Sequence, residues 1–150
     1  DEWRQICSQP DPSLAKMRET IGDGPTVILG EHVAEWVAKE GALKFIEMAR
    51  HPVRSYGTEE FFHGSSWGMK PDDRAWHIAL ASDARAKDIP AEIRLDRTLA
   101  VGGDSPLAWL PALLELQWSG LALALNRGED PDDPVAAVAR QRAAAAAGRV

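Results

Sequence analysis

Three charged residues recur at helical spacing in the segment EGALKFIE: Glu40, Lys44 and Glu47. At 3.6 residues per turn, Lys44 falls about 40° and Glu47 about 20° from Glu40 around the helix axis. The three side chains, called here the charged cluster, therefore share one helix face. They could form ordinary surface ion pairs, or a general base whose charge is balanced by an ammonium group. Spacing alone leaves both interpretations open.

Apolar residues continue the same stripe one turn earlier. Val33, Trp36 and Val37 fall within about 60° of Glu40, and we call these three residues the apolar wall. An apolar wall beside a carboxylate and an ammonium would keep a general base ionised and poorly hydrated. We interpret the residues grouped on another sector of the helix as its solvent face: Glu35, Lys39 and Arg50.

A fourth candidate for chemistry, His63, lies sixteen residues after Glu47, between two phenylalanines and Gly64. Histidine can act as an acid or a base near neutral pH. We interpret the other three histidines as structural: His32 in a loop, His51 as a helix-end cation and His77 in a strand. No His/Cys spacing is typical of a metal site, so we predict neither a metal nor a cofactor.

The elements that position these residues follow from the hydrophobic pattern. We predict strands over 25–30, 53–56, 75–82 and 98–101, and helices over 11–22, 32–50, 59–64 and 106–128, with Thr58 as the N-cap of the third helix. Strands that alternate with helices predict an α/β fold of three layers, α-β-α, around a mainly parallel sheet. A turn-rich break at 130–134 divides a single domain (1–134) from an alanine-rich helical tail (135–150).

Composition limits the classes of function. The 150 residues carry a formal net charge of −6 without a Lys/Arg cluster, which argues against a nucleic-acid partner. The most apolar run, 107–125, contains Pro111 and Glu115, so we expect no membrane span. A single cysteine, Cys7, indicates a reducing compartment, and we expect a cytoplasmic protein. The start at Asp1 without methionine suggests a processed product or an excised domain.

The motifs EGALKFIE and EFFHG, with their sixteen-residue spacing, resemble the sugar isomerase (SIS) domain. The likeness is to the second SIS half of glucosamine-6-phosphate synthase and to the fructosamine deglycases. It extends upstream to VILG and downstream through LLELQWSGLALALNRGEDPDDP, from 26 to 134. The resemblance implies a SIS-like sheet of the flavodoxin-like or Rossmann-like kind.

The resemblance also implies roles for the four candidates. Glu47 would be the base that moves a proton between C1 and C2 of an open-chain sugar phosphate. His63 would assist ring opening, typically in the active site of a neighbouring subunit. Glu40 and Lys44 match the positions that orient the base and balance its charge. An isomerisation through an enediol needs such a carboxylate and exclusion of water, but no metal.

Several departures from the family pattern concern substrate binding. A phosphate loop of the S-x-S-G-x-[ST] type is absent from the sequence, so we expect another SIS half, or another copy in a homo-oligomer, to hold the phosphate. The glycine-x-glycine after the first strand becomes Gly30-Glu31-His32, and the usual HGP becomes His63-Gly64-Ser65. We take as candidate substrate-binding residues Ser65, Ser66 and Arg140, the last next to the position of a tail lysine in the family. The region 83–97 is shortened where the family has a full helix.

Our leading hypothesis is a SIS domain that contributes to aldose–ketose isomerisation or a related amino-sugar phosphate reaction. An alternative is a non-catalytic sugar-phosphate-binding or regulatory module, which the missing phosphate loop favours. A third interpretation is a scaffold whose charged cluster is an intersubunit salt-bridge network.

Overall fold

A computed structural model describes residues 25–70, 73–80, 94–101 and 106–133, with 138, 139, 142, 143 and 145–148. Its elements are β1 (Thr26–Gly30), α1 (Val33–Ala49), β2 (Val53–Gly57), α2 (Thr58–Phe62), a 3₁₀ turn (Ser65–Gly68), β3 (Arg74–Leu80), β4 (Arg94–Val101) and α3 (Leu110–Asn126). The strands pair in the order β2-β1-β3-β4, and each of these pairs is parallel. The predicted α/β fold with a parallel sheet is confirmed.

Strand β1 shows why the sheet is covered on both faces. All five of its residues are buried, as expected for a central parallel strand. Ile28 belongs to the core that α1 and α3 form on one face, whereas Val27 and Leu29 pack with Phe61 of α2 on the other. Helices α1 and α3 therefore share one layer, and α2 lies in the opposite layer.

Close contact between α1 and α3 fixes the backbone that carries the charged cluster. A Cβ atom at Gly41 of α1 would lie 2.5 Å from Leu116 of α3, and one at Gly120 would lie 3.4 Å from the carbonyl of Lys44. Only glycine allows the first of these approaches without movement of a side chain. On the sheet side, Phe45 of α1 packs edge-on against Trp76, with ring centroids 5.6 Å apart.

A buried polar cluster holds the end of α1. His51 is 1% exposed; its Nε2 lies 2.7 Å from Thr26 Oγ1, and Arg127 donates to its Nδ1 at 3.0 Å. Because a guanidinium only donates, Nδ1 must accept, and the ring proton on Nε2 is donated to Thr26. His51 is thus structural, as predicted, but as a neutral imidazole, and the prediction of a helix-end cation is wrong.

Arg50 also differs from its prediction as a solvent-face residue. It ends α1 in the left-handed conformation (φ 48°), where its N–H donates to the carbonyl of Ile46 at 3.0 Å and the N–H of His51 donates to the carbonyl of Phe45 at 3.3 Å. Its half-buried guanidinium pairs with Glu129 after α3. The long-range partner, which helical spacing does not reveal, explains the difference.

Element bounds differ from the sequence predictions at three places. Strand β4 begins at Arg94, earlier than predicted. Helix α3 begins at Leu110, after a turn in which Trp109 Nε1 donates to the Pro106 carbonyl at 2.8 Å. Thr58 is the first residue of α2, not its N-cap, and its buried Oγ1 has no hydrogen-bond partner among the described residues. The predicted first helix and residues 81–93, which include most of the shortened region, lie outside the described residues.

Candidate active site

The charged cluster assembles on α1 as its spacing predicts. Lys44 Nζ lies 2.8 Å from Glu47 Oε2 and 3.4 Å from Glu40 Oε1. The hydrogen bond to Glu47 is the main cause that raises the pKa of Lys44; burial opposes the shift and Glu40 adds to it. Lys44 is therefore a cation at neutral pH. The side chains of Glu40 and Glu47 remain 42% and 50% exposed, so a ligand can reach both carboxylates.

The apolar wall does not exclude solvent in the structure of the single chain. Val37 is 4% exposed, but Val33 is 44% and Trp36 is 71% exposed. The reason is the orientation of α1, which turns a different face, containing Ala38 and Phe45, toward the sheet. The expectation that this wall excludes water is therefore wrong for the single chain.

Trp36 instead borders an open groove between α1 and α3. The groove has a volume of about 340 Å³ and is lined by Val33, Trp36, Val37, Glu40, Trp109 and Leu113. Five of these six residues are apolar, and Glu40 brings the charged cluster to its edge. Sequence reasoning missed Trp109 and Leu113, because their contact with α1 is long-range and no local spacing signals it.

His63 lies in a different layer from the charged cluster. It follows the last residue of α2, is exposed, and its backbone N–H donates to the carbonyl of Glu59 at 3.1 Å. Helix α2 packs on the sheet face opposite to α1. The sheet thus separates His63 from Glu47, and one chain does not bring these two residues into one site.

The candidate substrate-binding residues are also away from Glu47. Ser65 and Ser66 are half-buried in the 3₁₀ turn after His63. Ser65 lines a second cavity, of about 520 Å³, on the α2 side of the sheet, together with Tyr56, Met69, Lys70 and other residues. Arg140 lies outside the described residues.

The loop that replaces glycine-x-glycine contains strain and an unforeseen contact. A Cβ at Gly30 would lie 2.4 Å from the carbonyl oxygen of Ala34, so the first position still requires glycine. His32 has a φ of 52° and a ψ of −118°, which is unfavourable for a residue with a Cβ. Between them, the Glu31 carboxylate accepts the backbone N–H of Glu59 at 2.7 Å. A carboxylate of the chain itself thus binds the first turn of α2.

Two absences concern the described part of the chain alone. Within it, no group of three or more His, Cys, Asp or Glu side chains is placed to hold a metal ion. None of the helices described above combines the length and the apolar character that crossing a membrane requires.

No family model matches the chain. It is 26% identical over 156 residues to the probable glutamine–fructose-6-phosphate aminotransferase (isomerizing) of Acanthamoeba polyphaga mimivirus, an alignment that covers 89% of this chain and 25% of the relative. Among solved structures, it resembles glucosamine-6-phosphate deaminase from Thermotoga maritima (25% identity, TM-score 0.60, 88% of this chain and 43% of that one). It also resembles the C-terminal domain of glucosamine-fructose-6-phosphate aminotransferase from Francisella tularensis (17% identity, TM-score 0.61, 86% and 45%).

These similarities confirm the resemblance to sugar isomerase domains and the SIS-like fold. The chain spans less than half the length of the two solved chains and a quarter of the curated relative.

Proposed function

We propose that this SIS-like chain binds a sugar phosphate and supplies the base for aldose–ketose isomerisation or a related amino-sugar phosphate reaction. The observation that carries the proposal is the placement of Lys44 between two accessible carboxylates on α1, 2.8 Å from Glu47 and 3.4 Å from Glu40. The fold and the similarity to proteins of sugar-phosphate chemistry support the same conclusion.

In this proposal Glu47 is the base. Its carboxylate removes the proton from C1 or C2 of the open-chain sugar and returns it to the neighbouring carbon, while the hydroxyl proton passes between O1 and O2 through the enediol, so the base is regenerated. Lys44 remains protonated and holds one oxygen of Glu47, which leaves the other oxygen for the sugar. Glu40 balances the remaining charge and fixes the ammonium from the other side.

His63 would assist ring opening in the site of a second copy. Two observations support action between chains: the sheet separates His63 from Glu47, and His63 is exposed on its turn. The phosphate would be held by another SIS half, in line with the absent phosphate loop. We assign secondary contacts with the substrate to Ser65, Ser66 and Arg140.

Proton exchange tests the role of Glu47. The assembled protein should exchange the C1 or C2 proton of fructose 6-phosphate in D2O, measured by NMR, and Glu47→Gln should abolish that exchange. Glu35→Gln is the matched control, because Glu35 pairs with Lys39 on the same helix at 2.6 Å but lies outside the charged cluster. Undiminished exchange in Glu47→Gln would refute the assignment.

A mixing experiment tests the role of His63. Glu47→Gln and His63→Gln chains should each be inactive, yet their hybrid dimers contain one intact site. Random reassembly in equal amounts should therefore restore about a quarter of the wild-type rate in a two-fold dimer. If both residues served one site within a single chain, the mixture would stay inactive.

A non-catalytic binding module is the second candidate, favoured by the exposure of the apolar wall in the single chain. It predicts saturable binding of fructose 6-phosphate without proton exchange in a complete assembly. A scaffold role for the charged cluster predicts a third result: coupling between Lys44→Met and Glu47→Gln in stability, with no effect on the ligand.

A further inference from the structure

We propose that Trp67 of one copy inserts into the groove between α1 and α3 of a second copy of this chain. The inference rests on the proposed function, which requires His63 of one copy to meet Glu47 of another. Trp67 is 89% exposed and lies on the 3₁₀ turn that follows His63. It is therefore the large apolar side chain that accompanies His63 into any such contact.

The groove between α1 and α3 has the apolar character that suits an indole side chain. Its lining is apolar apart from Glu40, and Trp36 at its edge is 71% exposed. Exposed tryptophans that meet an apolar groove are typical anchors of protein interfaces. An indole in the groove would cover Trp36 and Val33, and would complete the apolar wall that one chain leaves open to solvent.

The spacing of the two elements agrees with this docking. Along α1, Glu47 lies seven residues beyond Glu40, a rise of about 10 Å. On the other copy His63 precedes Trp67 by four residues, which span at most about 14 Å when extended. An indole beside Glu40 therefore leaves His63 of the same copy within reach of Glu47.

The exposed area favours a second copy as the occupant. A two-fold dimer in which both surfaces meet at one edge of the sheet would make the contact twice, burying two copies each of Trp36 and Trp67. At about 250 Å² for each tryptophan, their exposed parts amount to roughly 800 Å². Specific interfaces bury about 1,200–2,000 Å², so these indoles would supply a large share. Val33, Leu43 and Ile46 on α1 are further exposed apolar residues that extend the surface.

Cysteine cross-linking between two separately labelled chains tests the contact. Both chains carry Cys7→Ser; one adds Gly68→Cys, where a Cβ meets no atom within 4 Å, and the other adds Val33→Cys at the groove. Mixed chains should form a disulfide-linked heterodimer. Leu125→Cys, on α3 outside the groove, replaces Val33→Cys in the control, because Leu125 is 43% and Val33 44% exposed. Equal cross-linking to both positions, or none, would overturn the proposal.

Self-association gives an independent measurement. Sedimentation of the full chain should show Trp67→Ala weakening dimerisation at least tenfold, whereas Trp118→Ala, a 38% exposed tryptophan on α3, should not. Unchanged thermal unfolding at low protein concentration would show that Trp67→Ala remains folded. A wild-type chain that is monomeric at about 100 µM, well above the Kd of a specific complex, contradicts the proposal.

The outcomes separate this docking from the proposed function. Proton exchange that depends on Glu47, combined with failed cross-linking at Gly68 and Val33, would refute the docking alone. Specific cross-linking and dimerisation without proton exchange would refute the catalytic function and leave the docking intact.

Discussion

Two buried threonines provide a matched test of the polar cluster at the end of α1. Thr26 is 2% exposed and its Oγ1 accepts the Nε2 proton of His51 at 2.7 Å. Thr58 is 0% exposed, and within the part of the chain that the structure describes its Oγ1 has no hydrogen-bond partner. Replacement by valine keeps the shape of each side chain and removes the hydroxyl, so the two variants differ chiefly in the hydrogen bond lost.

The expected changes in the free energy of unfolding have opposite signs. In Thr26→Val the N–H of His51 stays buried without its acceptor, since Arg127 occupies the other ring nitrogen. Leaving such a group unsatisfied costs about 1–3 kcal/mol. In Thr58→Val a buried hydroxyl without a partner is removed, and the transfer penalty disappears with it. We expect that variant to be as stable as the wild type, or more stable.

Urea unfolding at neutral pH measures both changes, with equal m-values as the condition for comparison. The midpoint should fall for Thr26→Val and stay or rise for Thr58→Val. A loss of stability in Thr58→Val as large as that in Thr26→Val would refute the assigned hydrogen bonds. Equal, negligible changes would show that the His51 cluster does not hold α1 to β1.

Three further changes follow from α1 and the loop before it. Gly41→Ala should cost about 1–3 kcal/mol in urea unfolding because its Cβ would collide with α3, whereas Gly64→Ala, with open space around it, should have little effect. His32→Gly should stabilise the chain by about 1 kcal/mol, because glycine tolerates a φ of 52°; a lower thermal midpoint would contradict this. The raised pKa of Lys44 adds stability that is present below the unfolded value of about 10.4 and is lost as pH rises through the folded value; Lys44→Met should remove this alkaline loss in unfolding titrations.

Local patterning predicted the elements well where short-range rules decide. The apolar run 26–30 and the long stretch without proline that follows it predicted β1 and α1 to within a residue or two. Prediction was less accurate where a distant contact decides, as at Arg50 and His51. Their partners, Glu129 and Arg127, lie more than seventy residues away, beyond the range of any spacing rule.

The same distinction explains the candidate site. Glu40, Lys44 and Glu47 could be placed together because the period of one helix sets their relation. The apolar wall failed as a prediction because helical spacing gives the relative angle of Trp36 and Glu40, but not which direction faces solvent. That direction is set by glycines, Gly41 and Gly120, which let α3 pack close to the side of α1 next to Val37 and leave Trp36 outside the contact. The surface left open is therefore a consequence of where α3 packs, and the docking proposed above would cover it.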